Sequence, residues 1–297
     1  MKPYIKISIL LIFFYCPIFS QPYIDLFNFS FQGVQTQFKD SLKSENRNEN
    51  YVINLMAPIV IDSQNTIIVR AFSEKIWSTL ENEKLSTSRS LYASMLPIGF
   101  QHETKSKKWK YLLLAIPKIA SDFTDEISSY DFQFGGMGLI TYTYSKNLKL
   151  KCGLFYNKEF FGNFFVPIIS ADWKVTDRFQ IYGTFPTFLK GEYCILKNKL
   201  FAGISYRSYQ RSFRLSQEFS RDYVKMYDMS LKGFVDFYLQ KRLVLFAEVG
   251  QTLSYGMVGY TFGTKTPSNL YALYSPVNPN FLLNLGLAYR MRFDFTD

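Results

Sequence analysis

Apolar and polar residues alternate one by one along most of this chain, most regularly at its C-terminal end. From residue 281 to 295 the odd positions are Phe281, Leu283, Leu285, Leu287, Tyr289, Met291, Phe293 and Phe295, and the even ones are Leu282, Asn284, Gly286, Ala288, Arg290, Arg292 and Asp294. Successive strand side chains point to opposite faces, so the segment has one wholly apolar face and one mainly small or polar face. A helix would instead gather residues three and four apart. The first segment after the N-terminal stretch does the same, with Phe27, Phe29 and Phe31 against Asn28, Ser30 and Gln32. Leu148, Leu150, Cys152, Leu154 and Tyr156 against Lys149, Lys151, Gly153 and Asn157 repeat the pattern, with Phe155 the exception. Residues 223–239 and 243–251 behave similarly, although Lys225 and Gln251 interrupt the apolar face.

Short turns at 62–65, 145–147, 176–177, 197–199 and 240–241 alternate with longer polar stretches at 40–50, 78–90, 121–129, 211–221 and 256–280. In outer-membrane barrels short turns face the periplasm and long loops face outward. The segments predict an all-β, antiparallel up-and-down transmembrane barrel of about fourteen strands, an even number as this barrel class requires. Ten or twelve strands remain open, because 185–199 reads either as one hairpin or as an irregular loop. An even count puts both termini in the periplasm. A secreted β-sandwich also alternates, but it seldom needs a strand as long as the last one, since typical strands run about five or six residues.

Composition sharpens this picture. Aromatic residues make up 19% of the 297 positions, with 22 Tyr and 30 Phe, yet the mean hydropathy is only -0.06. Tyr and Trp settle at the two membrane interfaces, and Trp109, Tyr111, Tyr142, Tyr144 and Trp173 fall close to short turns. Beyond the first twenty residues no apolar run reaches the roughly 20 residues a spanning helix needs. Residues 1–20 read as a secretory signal, with Lys2 and Lys6 before the apolar stretch 7–15 and Ser20 before the cut; residues 21–297 form the barrel domain. Lipidation at Cys16 is disfavoured by the bulky Phe14 and Tyr15 before it. Losing Lys2 and Lys6 takes the formal charge from +10 to +8. Cys152 and Cys194 are too few for a disulfide framework or a metal cluster, and read as two unpaired strand residues.

Proline interrupts five strand-like stretches, at Pro58, Pro97, Pro117, Pro167 and Pro186. Proline cannot donate to a ladder, so each should mark a bulge, a bend or the end of pairing. Two readings stand: strand ends leading into outer loops, which is preferred, and bends that reshape the lumen. Together with Gly153-Leu154-Phe155-Tyr156, the stretch from Pro167 to Trp173 and the closing alternating strand, this proline pattern resembles an uncharacterised outer-membrane β-barrel family of Gram-negative bacteria, known only as a domain of unknown function. The resemblance implies a barrel and carries over no catalytic or binding residue.

Candidate chemistry is sparse. His102 is the chain's single histidine, and its setting, Gln101-His102-Glu103, matches no serine-hydrolase pattern. A solvated histidine at the periplasmic rim is the preferred reading, with a lipid-modifying enzyme as the alternative. No phosphate-cradling glycine loop or metal spacing appears, so no cofactor is expected, and export argues against nucleic acid. On the predicted lumen face stand Lys149, Lys151, Asp228, Lys232, Asp236, Glu248, Arg290 and Arg292. Such a mixed lining suits either a water-filled path with modest anion preference or a self-satisfied salt-bridge plug. Lys225, Arg211, Arg214 and Arg221 at the outer end are candidates for lipopolysaccharide phosphates. The expected partners are outer-membrane lipid, the barrel-insertion machinery that reads an aromatic C-terminal strand, and a small solute. The leading expectation is a passive pore, followed by a non-conducting interaction barrel.

Overall fold

The computed structural model describes residues 22–37, 45–81, 86–215, 223–260 and 280–293. Residues 1–21, 38–44, 82–85, 216–222, 261–279 and 294–297, on which the expected signal sequence and parts of the longer polar stretches fall, lie outside them. The described residues form fifteen strands in one sheet. They are β1 (Tyr23–Gln37), β2 (Glu45–Val60), β3 (Asn65–Glu81), β4 (Ser86–Met95), β5 (Ile98–Glu103), β6 (Trp109–Ser121), β7 (Phe132–Thr143), β8 (Leu148–Glu159), β9 (Gly162–Lys174), β10 (Phe179–Thr184), β11 (Phe188–Leu196), β12 (Leu200–Arg214), β13 (Tyr223–Tyr238), β14 (Leu243–Tyr260) and β15 (Phe281–Arg292). The first and last strands pair antiparallel, with Phe29 opposite Leu287 and Phe31 opposite Leu285, and this closes the sheet on itself. Closure removes the exposed edges that an open sheet would carry.

β4 and β5 share both neighbours, β3 and β6, and together make one wall strand, so the barrel has fourteen positions. Two prolines explain the break. Pro97 offers its carbonyl to the Arg70 N–H but no donor in return, and Pro117 does the same for Leu96 from the other side. The register is unchanged across the gap, Met95 facing Lys118 and Ile98 facing Ala115, so the ladder loses hydrogen bonds without a bulge.

The expected strand ends are therefore corrected for four of the five prolines. Pro58 and Pro167 lie within β2 and β9, and Pro117 within β6. The alternation of ladder bonds, anchored by Ile61 N–H to Asn65 and Ile169 N–H to Phe185, turns the ring nitrogens of Pro58 and Pro167 toward stretches where the adjacent strand gives no partner. A residue without a donor costs nothing there. Pro97 lies in the two-residue break between β4 and β5, and Pro186 sits after a cis peptide bond at the tip of the β10–β11 hairpin.

The apolar face of the alternation points outward. Leu113, Ile169, Ile204 and Phe281 are among the most exposed large residues of the molecule. At the short-turn end Trp109, Tyr111, Tyr144 and Trp173 are exposed too, and Trp109 meets Tyr142 with ring centroids 4.6 Å apart. This is the aromatic girdle expected at a bilayer interface. The turns below it carry a basic rim, with Lys105, Lys107, Lys108, Lys146, Arg178, Lys197, Lys199 and Lys241 all exposed. Cys152 faces outward and is free, whereas Cys194 faces inward.

The opposite end is uneven. β14 runs for 18 residues, whereas β10 has 6 and β11 has 9. Several stretches read as long loops are strand in part: β2 starts at Glu45, β3 continues to Glu81 and β14 to Tyr260. Where a strand rises clear of the bilayer both faces are polar, and period-two alternation no longer marks it.

Candidate functional site

The inward face of the alternation does not line an open channel. Its side chains fill the lumen in layers. Next to the short turns Cys194, Phe201, Tyr238, Val244 and Ala288 form an apolar cluster joined by Phe246. Gly286 is required here, because a Cβ would sit 2.5 Å from the Phe29 carbonyl oxygen and inside contact distance of the Phe246 ring.

Above it lies a layer of charge contributed by β1, β11, β13, β14 and β15. Arg290 binds Asp25 at 2.6 Å and Asp236 on its other side, and its guanidinium lies 3.6 Å from the Tyr23 ring centroid. Glu248 takes Lys232 and, at 3.8 Å, Lys190, while the Asn284 amide donates to it at 2.9 Å. Arg292 pairs with Glu192 and stacks over Phe201. The Tyr182 hydroxyl and the Gln180 amide also donate to Glu192, at 3.2 and 2.8 Å. Cations and carboxylates in this layer are equal in number, so it carries no net charge. Breaking one buried pair costs about 3–5 kcal/mol, since the orphaned charge keeps its desolvation penalty.

The next layer is polar and looser. Arg211 lies between Glu74 at 3.6 Å and Asp228 at 3.3 Å. Beside it is a cavity lined by Asn48, Asn50, Asp228, Ser230, Thr252 and Tyr255, among others. The Asn48 amide donates to the Tyr255 hydroxyl at 2.8 Å, but its own carbonyl oxygen and that of Asn50 have no partner.

An apolar plug closes the end opposite the short turns. It contains Ile76, Leu91, Ala93, Ala120, Phe213, Leu215, Val224, Met226, Tyr255 and Met257, with Phe160 packed against it. The ends of β12 and β13 supply four of these residues. β12 leaves the wall to do so. Its last ladder-like bond on the β11 side is Ser208 N–H to the Thr187 carbonyl, and beyond that point it leans inward until Arg214 lies beside Ser121 of β6. Both faces of residues 211–215 are buried in consequence. Phe213 faces the plug, while Ser212 and Arg214 face the opposite wall. The Ser212 N–H donates to Glu159 at 3.0 Å, and Arg214 binds Asp131 at 2.8 Å. Lys118 also reaches Glu159, at 3.3 Å. The sequence encodes this lean: the outward face of β12 reads Ala202, Ile204, Tyr206 and then Ser208, Gln210, Ser212, Arg214. Apolar residues face lipid, and the polar ones face protein.

The structure thus gathers Lys232, Asp236, Glu248, Arg290 and Arg292 into one network. It puts Asp228 one layer higher with Arg211, and Lys149 and Lys151 on the far wall, where Lys151 binds Asp172 at 2.6 Å. Lys149 is half-buried in register with Asp172. Asp25, Lys190, Glu192 and Glu74 were not foreseen. Their strand parity carried the signal for Lys190 and Glu192, which alternate with the exposed Tyr193 and Ile195.

Arg211 and Arg214 correct the expectation of surface cations for lipopolysaccharide. Both are buried in ion pairs because β12 turns inward before it reaches the surface. Lys225 lies 4.5 Å from the Phe161 ring centroid, and Arg221 lies outside the described residues. His102 is half-buried at the short-turn end, and its Nδ1 meets Asn65 Oδ1 at 2.8 Å. Among the described residues no group of His, Cys, Asp and Glu has a metal-binding arrangement.

No curated protein matches the sequence. Solved structures similar in fold include the COG4313 outer membrane channel from Pseudomonas putida F1, at 9% identity, covering 90% of this chain and 96% of the other with a TM-score of 0.45. The translocator domain of the autotransporter NalP from Neisseria meningitidis matches at 12% identity, 89% and 88% coverage and a TM-score of 0.38. The Pseudomonas putida toluene transporter TodX matches at 10% identity, 92% and 91% coverage and a TM-score of 0.38. The model of a protein family described as a domain of unknown function, DUF6268, matches residues 32–290, so this barrel belongs to that family.

Proposed function

We propose that the protein is an outer-membrane barrel that passes small solutes through a lumen closed at rest by its own wall. In this reading the short turns and both termini face the periplasm, the basic rim lies at the inner interface, and the tall strands project outward. The observation that carries it is the β12–β13 end. Phe213, Leu215, Val224 and Met226 ride on one hairpin, and its β12 edge has no ladder partner from β11 above Ser208. A movement of that end would shift these plug residues together; it is held by polar contacts to Glu159, Gln133, Asp131 and Glu74, by its packing in the plug and, on the other side, by the ladder between β13 and β14.

Planar-bilayer recording tests the proposal. Wild-type protein should be nearly silent, and Glu159→Gln combined with Phe213→Ala should give discrete conductance steps. Silence in both would favour the second reading, a non-conducting interaction barrel, for which the filled lumen also speaks.

A further inference from the structure

We propose that Arg70 and Arg207 form a binding site for a small oxyanion, of the class of sulfate or phosphate, held between two guanidinium groups in the middle of the lumen. β3 and β12 both start at short turns and run in the same direction, and Glu74 and Arg211 meet across the lumen at 3.6 Å. Arg70 and Arg207 stand four residues earlier on the same two inward faces. One layer nearer the short turns, two cations thus replace an acid–base pair. They repel each other, and Arg207 repels Lys232 as well. Among the described residues neither has a carboxylate partner. Arg70 donates to the Asn54 carbonyl oxygen and lies 5.5 Å from the Phe72 ring centroid, and Arg207 lies 5.4 Å from that of Tyr209. These contacts leave both charges unbalanced. By contrast Lys118, Lys151, Arg214 and the cations of the charge layer each hold a carboxylate, and Glu74 and Glu248 are taken by Arg211 and Lys232. Arginine cannot relieve the conflict by losing its proton. An anion can, and the guanidinium fork fits two oxygens of one oxyanion. Both side chains point inward yet keep part of their surface accessible, so water reaches them. Arg207 is still paired with Phe188 of β11, so β12 has not yet leaned in to narrow the lumen at this level.

This site deepens the reading of the lumen as a solute path and rests on it for access, but equilibrium binding tests it without any passage of solute. The full mature chain in a non-ionic detergent is dialysed to equilibrium against radiolabelled sulfate at constant ionic strength. Wild type and the Glu159→Gln, Phe213→Ala double variant are both used, so that a closed plug cannot hide the site. Saturable binding of one sulfate per chain is expected. Arg70→Gln and Arg207→Gln should each weaken it about tenfold or more, because each removes one charge-assisted fork, while heat-modifiable mobility shows the barrel intact. Arg207→Glu supplies the missing carboxylate to Arg70. It should abolish sulfate binding and raise the unfolding midpoint, and it decides the matter if a glutamine variant does not fold. Lys105→Gln with Lys107→Gln, on the basic rim, should leave binding unchanged. Absence of saturable sulfate binding in both backgrounds would overturn the assignment. So would unchanged binding in the two glutamine variants, or loss of binding in the rim variant, which would move the anion to the surface. Sulfate binding beside silence in both bilayer recordings would strike the moving plug and leave this site standing.

Discussion

Leu285 and Ala288 are three residues apart on β15 and meet opposite surroundings. Leu285 is exposed on the apolar face, opposite Phe31 and Ala247, whereas Ala288 is fully buried beside Phe246. An arginine at the bilayer midplane on the lipid side costs about 2–4 kcal/mol. Leu285→Arg should therefore lower stability by that amount in unfolding titrations from lipid vesicles, and Leu285→Phe should not; equal midpoints for the two variants would contradict the lipid-facing assignment. Ala288 would be a tolerant position in a water-filled lumen, but here an arginine has no room, and Ala288→Arg should not fold. Which residues point inward was legible from parity alone, at Arg290 and Arg292 as much as at Leu285. What they meet there was not. Alternation assigns a face, and the fit of Phe246 against Gly286 or of Lys190 against Glu248 depends on strands 40 or more positions apart in the chain.

At the scale of the strand, β12 shows where alternation misleads. Its polar outer half resembles a strand leaving the membrane for water, and Arg211 and Arg214 read naturally as surface cations. Instead the polar face is covered by β8 and the β6–β7 connection. No local signal separates a polar face turned to water from one turned to protein. Asp131 makes the contact testable by pH. Burial raises its pKa, but the Ser128 N–H, the Arg214 guanidinium and the Ser121 hydroxyl together outweigh that and hold it below the ordinary 3.8. A depressed carboxyl pKa contributes stability above the unfolded value and loses it as pH falls through the folded value. Acid should therefore loosen the flap, with conductance or proteolysis of the β12 end rising only below about pH 4. Asp131→Asn should produce the same loosening at neutral pH and remove the acid step. Asp122, Asp125 and Glu159 lie nearby, so an acid step that persists unchanged in Asp131→Asn would assign it to them. The prolines teach a similar lesson: a missing donor was evident from sequence, but only the positions of neighbouring strands show that Pro58 and Pro167 face gaps while Pro97 and Pro117 interrupt a ladder.

The whole barrel was the most legible level, because closure needs only two amphipathic ends and an even set of strands between them, and Phe27 to Phe31 pairing with Leu285 to Tyr289 supplies the ends. Whether its lumen is a water-filled path or a salt-bridged plug was not legible, since volume inside a barrel depends on side chains from every strand at once. Orientation follows from the proposed periplasmic turns. In a variant with Cys152 and Cys194 changed to Ser, a cysteine at Asn163, on the exposed β8–β9 tip, should react with a membrane-impermeant maleimide on intact cells, and one at Asn147 only after the outer membrane is permeabilised; the opposite pattern would invert the barrel. The basic rim beneath the aromatic girdle then acquires a meaning beyond topology. Lysines near an anionic surface each gain about 1 kcal/mol, and the attraction fades within a Debye length of about 10 Å at 0.1 M salt. A ring that includes Lys105, Lys107, Lys108, Lys146, Lys197, Lys199 and Lys241 would draw acidic phospholipids into an annulus around the barrel foot. The protein would then sort the lipids of one leaflet as well as sit among them, and its neighbours in the membrane would change with ionic strength.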